Sequence, residues 1–327
     1  MSWVKYLVVF KSKSSIHIGY RQVSFLKTTR YYIPGTTITG AISSVVSKLL
    51  YDKPNLDTYN KVDSFIKTNV KPTYFYPSII LNDTNGLSSI DLTIDEQNYI
   101  VFLPEYRNNG LNYGNLTKEE FEQIFITSFV STAMNPKTKS SEEGSLHETE
   151  LIKNKVKIKN KIFDVYWIGY LFFNINSSKD NISLKKENEK IVISNNSNSV
   201  NFNDILENLQ LGGERNYGFG LMDLILFSFD KSDSIFNNWY VDINDEIVFK
   251  FKDQNTTTIF NHLEIKQGNN IKYIYGELEP LISLIWSEKG PGHKISKPKI
   301  CLTPGTKLEG TYNLILNENG ILSIDLK

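Results

Sequence analysis

The chain of 327 residues holds a single cysteine, Cys301, so no intrachain disulfide can form and a reducing compartment is expected. Histidine is scarce as well. His17, His147, His262 and His293 are scattered, and no His-x₃-His or Cys-x₂-Cys pair is there to begin a metal site. A Gly-x₄-Gly-Lys-Ser/Thr loop is missing, which removes the common nucleotide-phosphate cradle. The first apolar stretch, "YLVVF", is bounded by Lys5 and Lys11. It is too short for a signal-peptide core or a bilayer span and reads as a first buried strand. These absences point to a cytoplasmic protein with no cofactor, no metal and no membrane partner.

Acid is absent where it matters. Lys+Arg and Asp+Glu both total 36, yet the first 51 residues carry seven basic groups and no carboxylate. A second acid-free basic run covers 289–307, with Lys289, Lys294, Lys297, Lys299 and Lys307. Basic surface segregated in this way suits an anionic polymer, although solvated lysines also produce such runs.

Residues 3–19 alternate in polarity and end at Gly19, which predicts a strand. "YYIPGTTITGAISSVVSKLL" then gives a Pro34-Gly35 turn, Thr36 or Thr37 as a cap, and a helix over 38–50. Short β-rich runs fill 70–103. Thr117 with Glu120 forms a capping-box pattern opening a helix over "TKEEFEQIFITSFVSTAM". A polar loop from 135 leads into a strand. "KNKVKIKNK" sets Lys153, Lys155, Lys157, Lys159 and Lys161 at every second position, and in one strand all five would share a face. Such a face is either a lysine-protected edge or a strip for a polyanion. "VYWIGYLFFNI" is a buried strand, "ISLKK" and "IVIS" a polar hairpin, and "FNDILENLQLGG" a short helix stopped by Gly212-Gly213. The stretch 230–327 is β-rich with a hairpin at "NENG", and 228–235 is the best place for a boundary. Cys301 reads as a core residue.

"LGGERNYGFG" (211–220) stands apart, with four glycines in nine positions beside Arg215, Tyr217 and Phe219. It follows a helix and precedes a strand, the reverse of a dinucleotide fingerprint. Glycines allow a loop to bring backbone N–H groups against a bulky anion, Arg215 can pair with phosphate, and the aromatics can stack on unpaired bases. A tight turn whose aromatics pack inward is the other reading. His17 is the one candidate for acid–base chemistry, on a strand with Gly19 two residues on; a satisfied structural histidine is the commoner use of such a position.

"SIHIG", "YIPGTTITGAI" and "LGGERNYGFG", in that order over roughly 1–228, resemble the landmarks of the RAMP (repeat-associated mysterious protein) superfamily of CRISPR systems. The loop "NPKTKSSEEGSLHETELI" resembles a further family segment. The resemblance implies an α+β class: a ferredoxin-like (RRM-like) RAMP domain over 1–228, with a β-rich C-terminal extension over 229–327. It implies an RNA-contacting loop of Gly212, Gly213, Arg215, Asn216, Tyr217, Gly218 and Gly220, with Arg21, Lys27 and Arg30 lining the approach. Type III backbone subunits of this family cut target RNA with an aspartate before the Pro-Gly turn. Here that interval, "YRQVSFLKTTR", has neither Asp nor Glu, and Asn135 stands where the family often has Asp. The family's processing ribonucleases carry the glycine loop close to the C-terminus, whereas 107 residues follow Gly220. The implied protein is therefore a non-catalytic, CRISPR RNA-binding subunit of a type III effector complex. It would hold one end of the guide, the 5′ tag being expected, beside other effector subunits in a hetero-oligomer, with target RNA as a further candidate partner. Two alternatives stand beside it: a metal-independent guide-processing endoribonuclease using His17, and a protein-binding cap with little RNA contact.

Overall fold

A computed structural model of the chain describes residues 2–81, 90–94, 96–142, 144–253, 255–266 and 271–325. The chain opens with strand β1 (Ser2–Ser12), a hairpin of β2 (Gly19–Val23) and β3 (Leu26–Thr29), then helices α1 (Gly35–Leu50) and α2 (Leu56–Asn69). Strand β4 (Tyr76–Ile80) follows, then α3 (Lys118–Phe125), β5 (Ile126–Ser131), β6 (His147–Ile152) and the long β7 (Tyr166–Ile175). Helix α4 (Phe202–Glu207) precedes β8 (Met222–Phe229). Among the later strands, β9 (Leu284–Ser287) and β10 (Gly290–Ile295) form a separate two-stranded hairpin.

The main sheet has seven strands. Its path runs β8, β1, β7, β4, then Gln97–Val101 and Ile90–Ile94, with Val70–Pro72 also paired to β7. β1 and β7 pair antiparallel along nearly their whole length, from Ser2↔Ile175 to Lys11↔Tyr166. Successive side chains in a strand point to opposite faces, and here both faces are covered. Tyr6, Val8 and Phe10 with Trp167, Leu171 and Phe173 enter one core; Trp3 and Val9 with Ile168, Tyr170 and Phe172 enter another. This double burial explains why "VYWIGYLFFNI" has no polar alternation.

On the first face lie the helices. α1 contributes Ile38, Ala41, Ile42, Val46 and Leu50, and α2 contributes Val62, Phe65 and Ile66, each at helical spacing. An eight-stranded sheet drawn from 234–324 closes the second face with Trp239, Phe249, Leu263, Leu302, Leu314 and Leu322. Its last turn reaches α1: a Cβ added to Gly35 would lie 2.1 Å from the Asn319 carbonyl oxygen, and the Thr39 hydroxyl donates to Asn319 Oδ1 at 2.7 Å.

Several local expectations are corrected. β1 ends at Ser12, and Ile16 and His17 make only isolated bridges before Gly19 opens a new strand. α1 begins at Gly35 with Pro34 at its N-cap, so Thr36 and Thr37 sit inside the first turn and cap nothing. The Thr117–Glu120 capping box forms, but α3 stops at Phe125. Beyond it, Ile126, Thr127 and Val130 suit a strand, and β5 pairs with β6 along its whole length. α4 ends at Glu207 with Asn208 as its C-cap, ahead of Gly212-Gly213. The lysine run is a hairpin of Lys155–Ile158 and Lys161–Asp164, turning through Lys159 and Asn160 at positive φ. Lys155 and Lys157 share an exposed face over buried Val156 and Ile158, while Lys153 donates to the Gln123 and Ile124 carbonyls at the end of α3. The hairpins at 182–194 and around "NENG" form as expected. Cys301 is fully buried, and burial pushes its thiol up to about 12.

Candidate nucleic-acid interface

The glycine-rich stretch is a loop closed at its neck. The Leu211 N–H donates to the Gly220 carbonyl at 2.9 Å, and Gln210 bridges Leu221. Gly220 has φ 78°, and a Cβ there would lie 1.9 Å from the Leu211 oxygen. Gly212 has φ 89°, and its Cβ would lie 2.3 Å from the His17 oxygen. At these two positions only glycine permits both the left-handed backbone and the close approach. Between them, Arg215–Tyr217 form a single 3₁₀ turn flanked by Glu214 and Gly218, both left-handed. The Gln210 amide fills the loop from beneath, donating to the carbonyls of Phe219 at 2.9 Å and Arg215 at 3.2 Å.

The loop rests on three supports. His17 lies under it, accepting the Gly213 N–H on its carbonyl at 2.8 Å. Lys27 on β3 pairs with Glu214 at 2.6 Å. Phe129 on β5 packs its ring 5.5 Å from Tyr217 and 5.4 Å from Phe219. β5, β6, β3 and β2 form one four-stranded sheet, in that order, with the β6–β3 step parallel. The loop is therefore set against the sheet that carries the basic β2–β3 hairpin.

What the loop shows to solvent is Arg215, Asn216 and Tyr217, the tyrosine 58% exposed. The Arg215 Nε donates to the Gly212 carbonyl at 2.9 Å, and its terminal nitrogens have no hydrogen-bond partner among the described residues. Surrounding protein crowds this surface side chain enough that burial pulls its pKa below the ordinary value, while the guanidinium stays cationic. An oriented, under-coordinated guanidinium beside an open aromatic ring can pair with phosphate and stack on a base.

The other expected residues separate. Arg21 is exposed, and its guanidinium lies 4.6 Å from the Tyr20 ring. Arg30 turns inward. Its Nη1 lies 2.9 Å from Glu279 Oε1 and 3.0 Å from the Tyr32 hydroxyl, with 12% of the side chain exposed. Glu279 also accepts from His262 Nε2 at 2.7 Å, and His262 Nδ1 meets the Tyr74 hydroxyl at 2.7 Å. Burial lowers the His262 pKa and so favours a neutral ring, whose Nε2–H donates to the ionised Glu279 while Nδ1 accepts from Tyr74. His17 is 5% exposed, and its Nδ1–H donates to the Glu150 carbonyl at 2.8 Å. Burial lowers its pKa, leaving a neutral ring that shapes the base of the loop.

Phe129, Gln210 and Glu214 were not singled out from the sequence. Phe129 lay in a segment read as helix, where its pairing across to the loop is invisible; Gln210 and Glu214 act only through the closed geometry.

An α/β protein built on one seven-stranded sheet, with a glycine loop returning just before its last long strand, is the class that this geometry defines. Residues 9–223 match the model of the RAMP superfamily, and the chain belongs to that superfamily. Among solved structures it is similar to a chain in the cryo-EM structure of the Type III-B Cmr-beta bound to cognate target RNA and AMPPnP. Identity there is 11%, coverage 93% of this chain and 86% of that one, and the TM-score 0.47. It is also similar to a chain of the Csm3-Csm4 subcomplex in the type III-A CRISPR-Cas interference complex, with 12% identity, 98% and 99% coverage and a TM-score of 0.40. A CRISPR protein from Archaeoglobus fulgidus is similar at 10% identity, 98% coverage of both chains and a TM-score of 0.34. No curated protein matches the sequence. No helix among the described residues is long and apolar enough to cross a membrane.

Proposed function

We propose that this protein is a non-catalytic, CRISPR RNA-binding subunit of a type III effector complex, cytoplasmic, holding one end of the guide RNA and contacting neighbouring RAMP subunits. The observation that carries the reading is the braced glycine loop, which presents Arg215, Asn216 and Tyr217 outward together. Its RNA contacts are Gly212, Gly213, Arg215, Asn216, Tyr217, Gly218 and Gly220, with Arg21 and Lys27 at the side. Arg30 joins them through the Tyr20 ring, which lies 4.6 Å from its guanidinium. The interval 20–30 carries no carboxylate to direct cleavage, which supports a binding role.

Residues 1–228 are read as a ferredoxin-like unit. In support, β1, α1, β4, β7, α4 and β8 follow in βαββαβ order, and their strands lie side by side as β8, β1, β7, β4. Residues 229–327 are then a β-rich extension on the second face of that sheet.

The test is RNA retained by the purified effector complex. Arg215→Ala should lower the guide content of the complex, and binding of the wild type should fall steeply with salt, by about 0.7 log units in affinity per log unit of salt for each phosphate contact. Unchanged guide content in the variant would overturn the reading.

A further inference from the structure

Outside the matched span 9–223, the β9–β10 hairpin crosses back to the first part of the chain. Trp286 on β9 sets its ring 4.4 Å from that of Tyr59 on α2, tilted by 58°, and both rings are half-buried. Both residues keep part of their surface in solvent, so the tilted pair offers an aromatic wedge. Tyr59 in turn lies within electrostatic reach of Arg215. Through Tyr59 the hairpin is thus linked to the side of α2 that senses the loop cation.

The hairpin side carries more cation than acid: Glu288 lies in the turn and Asp63 acts on Tyr59. Lys289, Lys294 and Lys297 are exposed and have no carboxylate partner among the described residues, while Lys299 is paired with Glu264. Cations that no carboxylate pairs with, on a hairpin that carries an aromatic wedge, match the two needs of a single strand: charge along the backbone and flat surface for bases.

We propose that the β9–β10 hairpin is the second half of the RNA grip: Trp286 and Tyr59 stack a base next to the phosphate held by Arg215, and Lys289 and Lys294 follow the strand outward. This rests on the glycine loop being an RNA contact. Leu284 and Ile295, cross-strand partners and well exposed, would instead serve a protein subunit if the hairpin were a docking face. The aromatic pair, the lysines without carboxylate partners and the reach of Arg215 to Tyr59 favour RNA.

The protein carries its own probe. Trp3, Trp167 and Trp239 are buried, so Trp286 is the one tryptophan that solvent reaches among the described residues. The full-length protein is titrated with a short single-stranded oligoadenylate, reading tryptophan emission and, by filter binding, affinity. Quenching on binding is expected in the wild type. Trp286→Phe should bind within about threefold of wild type but lose the quenching, because phenylalanine still stacks. Trp286→Ala should weaken binding by roughly 5- to 150-fold, the equivalent of about 1–3 kcal/mol for one base stack, with its thermal unfolding checked in parallel. If Trp286→Ala binds like wild type while Arg215→Ala is impaired, the hairpin proposal fails and the loop reading stands. Full binding by both variants, or none by the wild type, overturns both. If Trp286→Ala keeps RNA while Leu284→Glu loses co-purifying subunits, the hairpin is a protein-docking face and the proposal is wrong.

Discussion

Lys27 Nζ and Glu214 Oε1 meet at 2.6 Å, joining residues 187 positions apart and fastening the glycine loop to β3. The pair is only partly buried, so its own worth is about 0–1 kcal/mol. Lys27→Ala should therefore leave the melting temperature nearly unchanged while hydrogen exchange across 213–218 quickens. Unaltered exchange would show that His17 and Phe129 hold the loop without it.

The loop's glycines should differ in cost. A Cβ at Gly220 meets the Leu211 carbonyl, whereas one at Gly218 meets open space, although φ is positive at both. Gly218→Ala should cost about 1 kcal/mol, and Gly220→Ala about 3 kcal/mol or more, since backbone must move. Chemical denaturation compares them, and equal losses would contradict the closed neck.

Tyr217 should matter for ligand and little for folding. It is largely exposed, so Tyr217→Ala should change stability by no more than about 0.5 kcal/mol. Its RNA affinity should fall by roughly 5- to 150-fold, the range of one base–aromatic stack. A variant that binds normally would assign the ring to packing on Phe129.

Acid should loosen the contact between Arg30 and the later sheet in two stages. Burial holds His262 below its ordinary value of 6.5, so the unfolded chain takes up a proton more readily and stability falls as pH drops below that value. Burial alone would raise Glu279, but the His262 hydrogen bond and Arg30 outweigh it and hold it at about 2, so its contribution is lost between its ordinary 4.5 and pH 2. Melting temperatures from pH 8 to 3 should show both declines, and His262→Gln should flatten the one between 7 and 5. Glu279→Gln leaves Arg30 without its carboxylate in a mostly buried site and should cost about 3–5 kcal/mol.

Cys301 should be inert in the native protein. With its thiol at about 12, the reactive thiolate at pH 8 is roughly a thousandfold scarcer than in an exposed cysteine. Reaction with a disulfide reagent should be slow until denaturant is added; a fast native reaction would contradict the burial.

The long strands and α1 were legible because their signals are local: unbroken apolar runs and helical spacing. α2 was missed although Asn55 and Thr58 form a capping box and Val62, Phe65 and Ile66 line one face. The helix–strand junction after Phe125 was misread because the same apolar residues serve either period, and the partner strand that decides lies 21 residues on. Arg30 and Arg21 look alike in sequence. Only Glu279, brought back by the distant sheet, gives one of them an internal partner.

The sheet with both faces covered has a consequence for how any nucleic acid meets this molecule. Tyr74, Tyr76, Tyr170 and Phe172 would make a broad stacking platform, but they are buried beneath the strands of 234–324. On the proposed reading a strand of RNA would be handled at the rim, by loops and hairpins that reach past the covered surface. Recognition on a rim depends on how few projecting parts are spaced, so insertions that lengthen a loop will disturb it more than exchanges of side chains within the sheet.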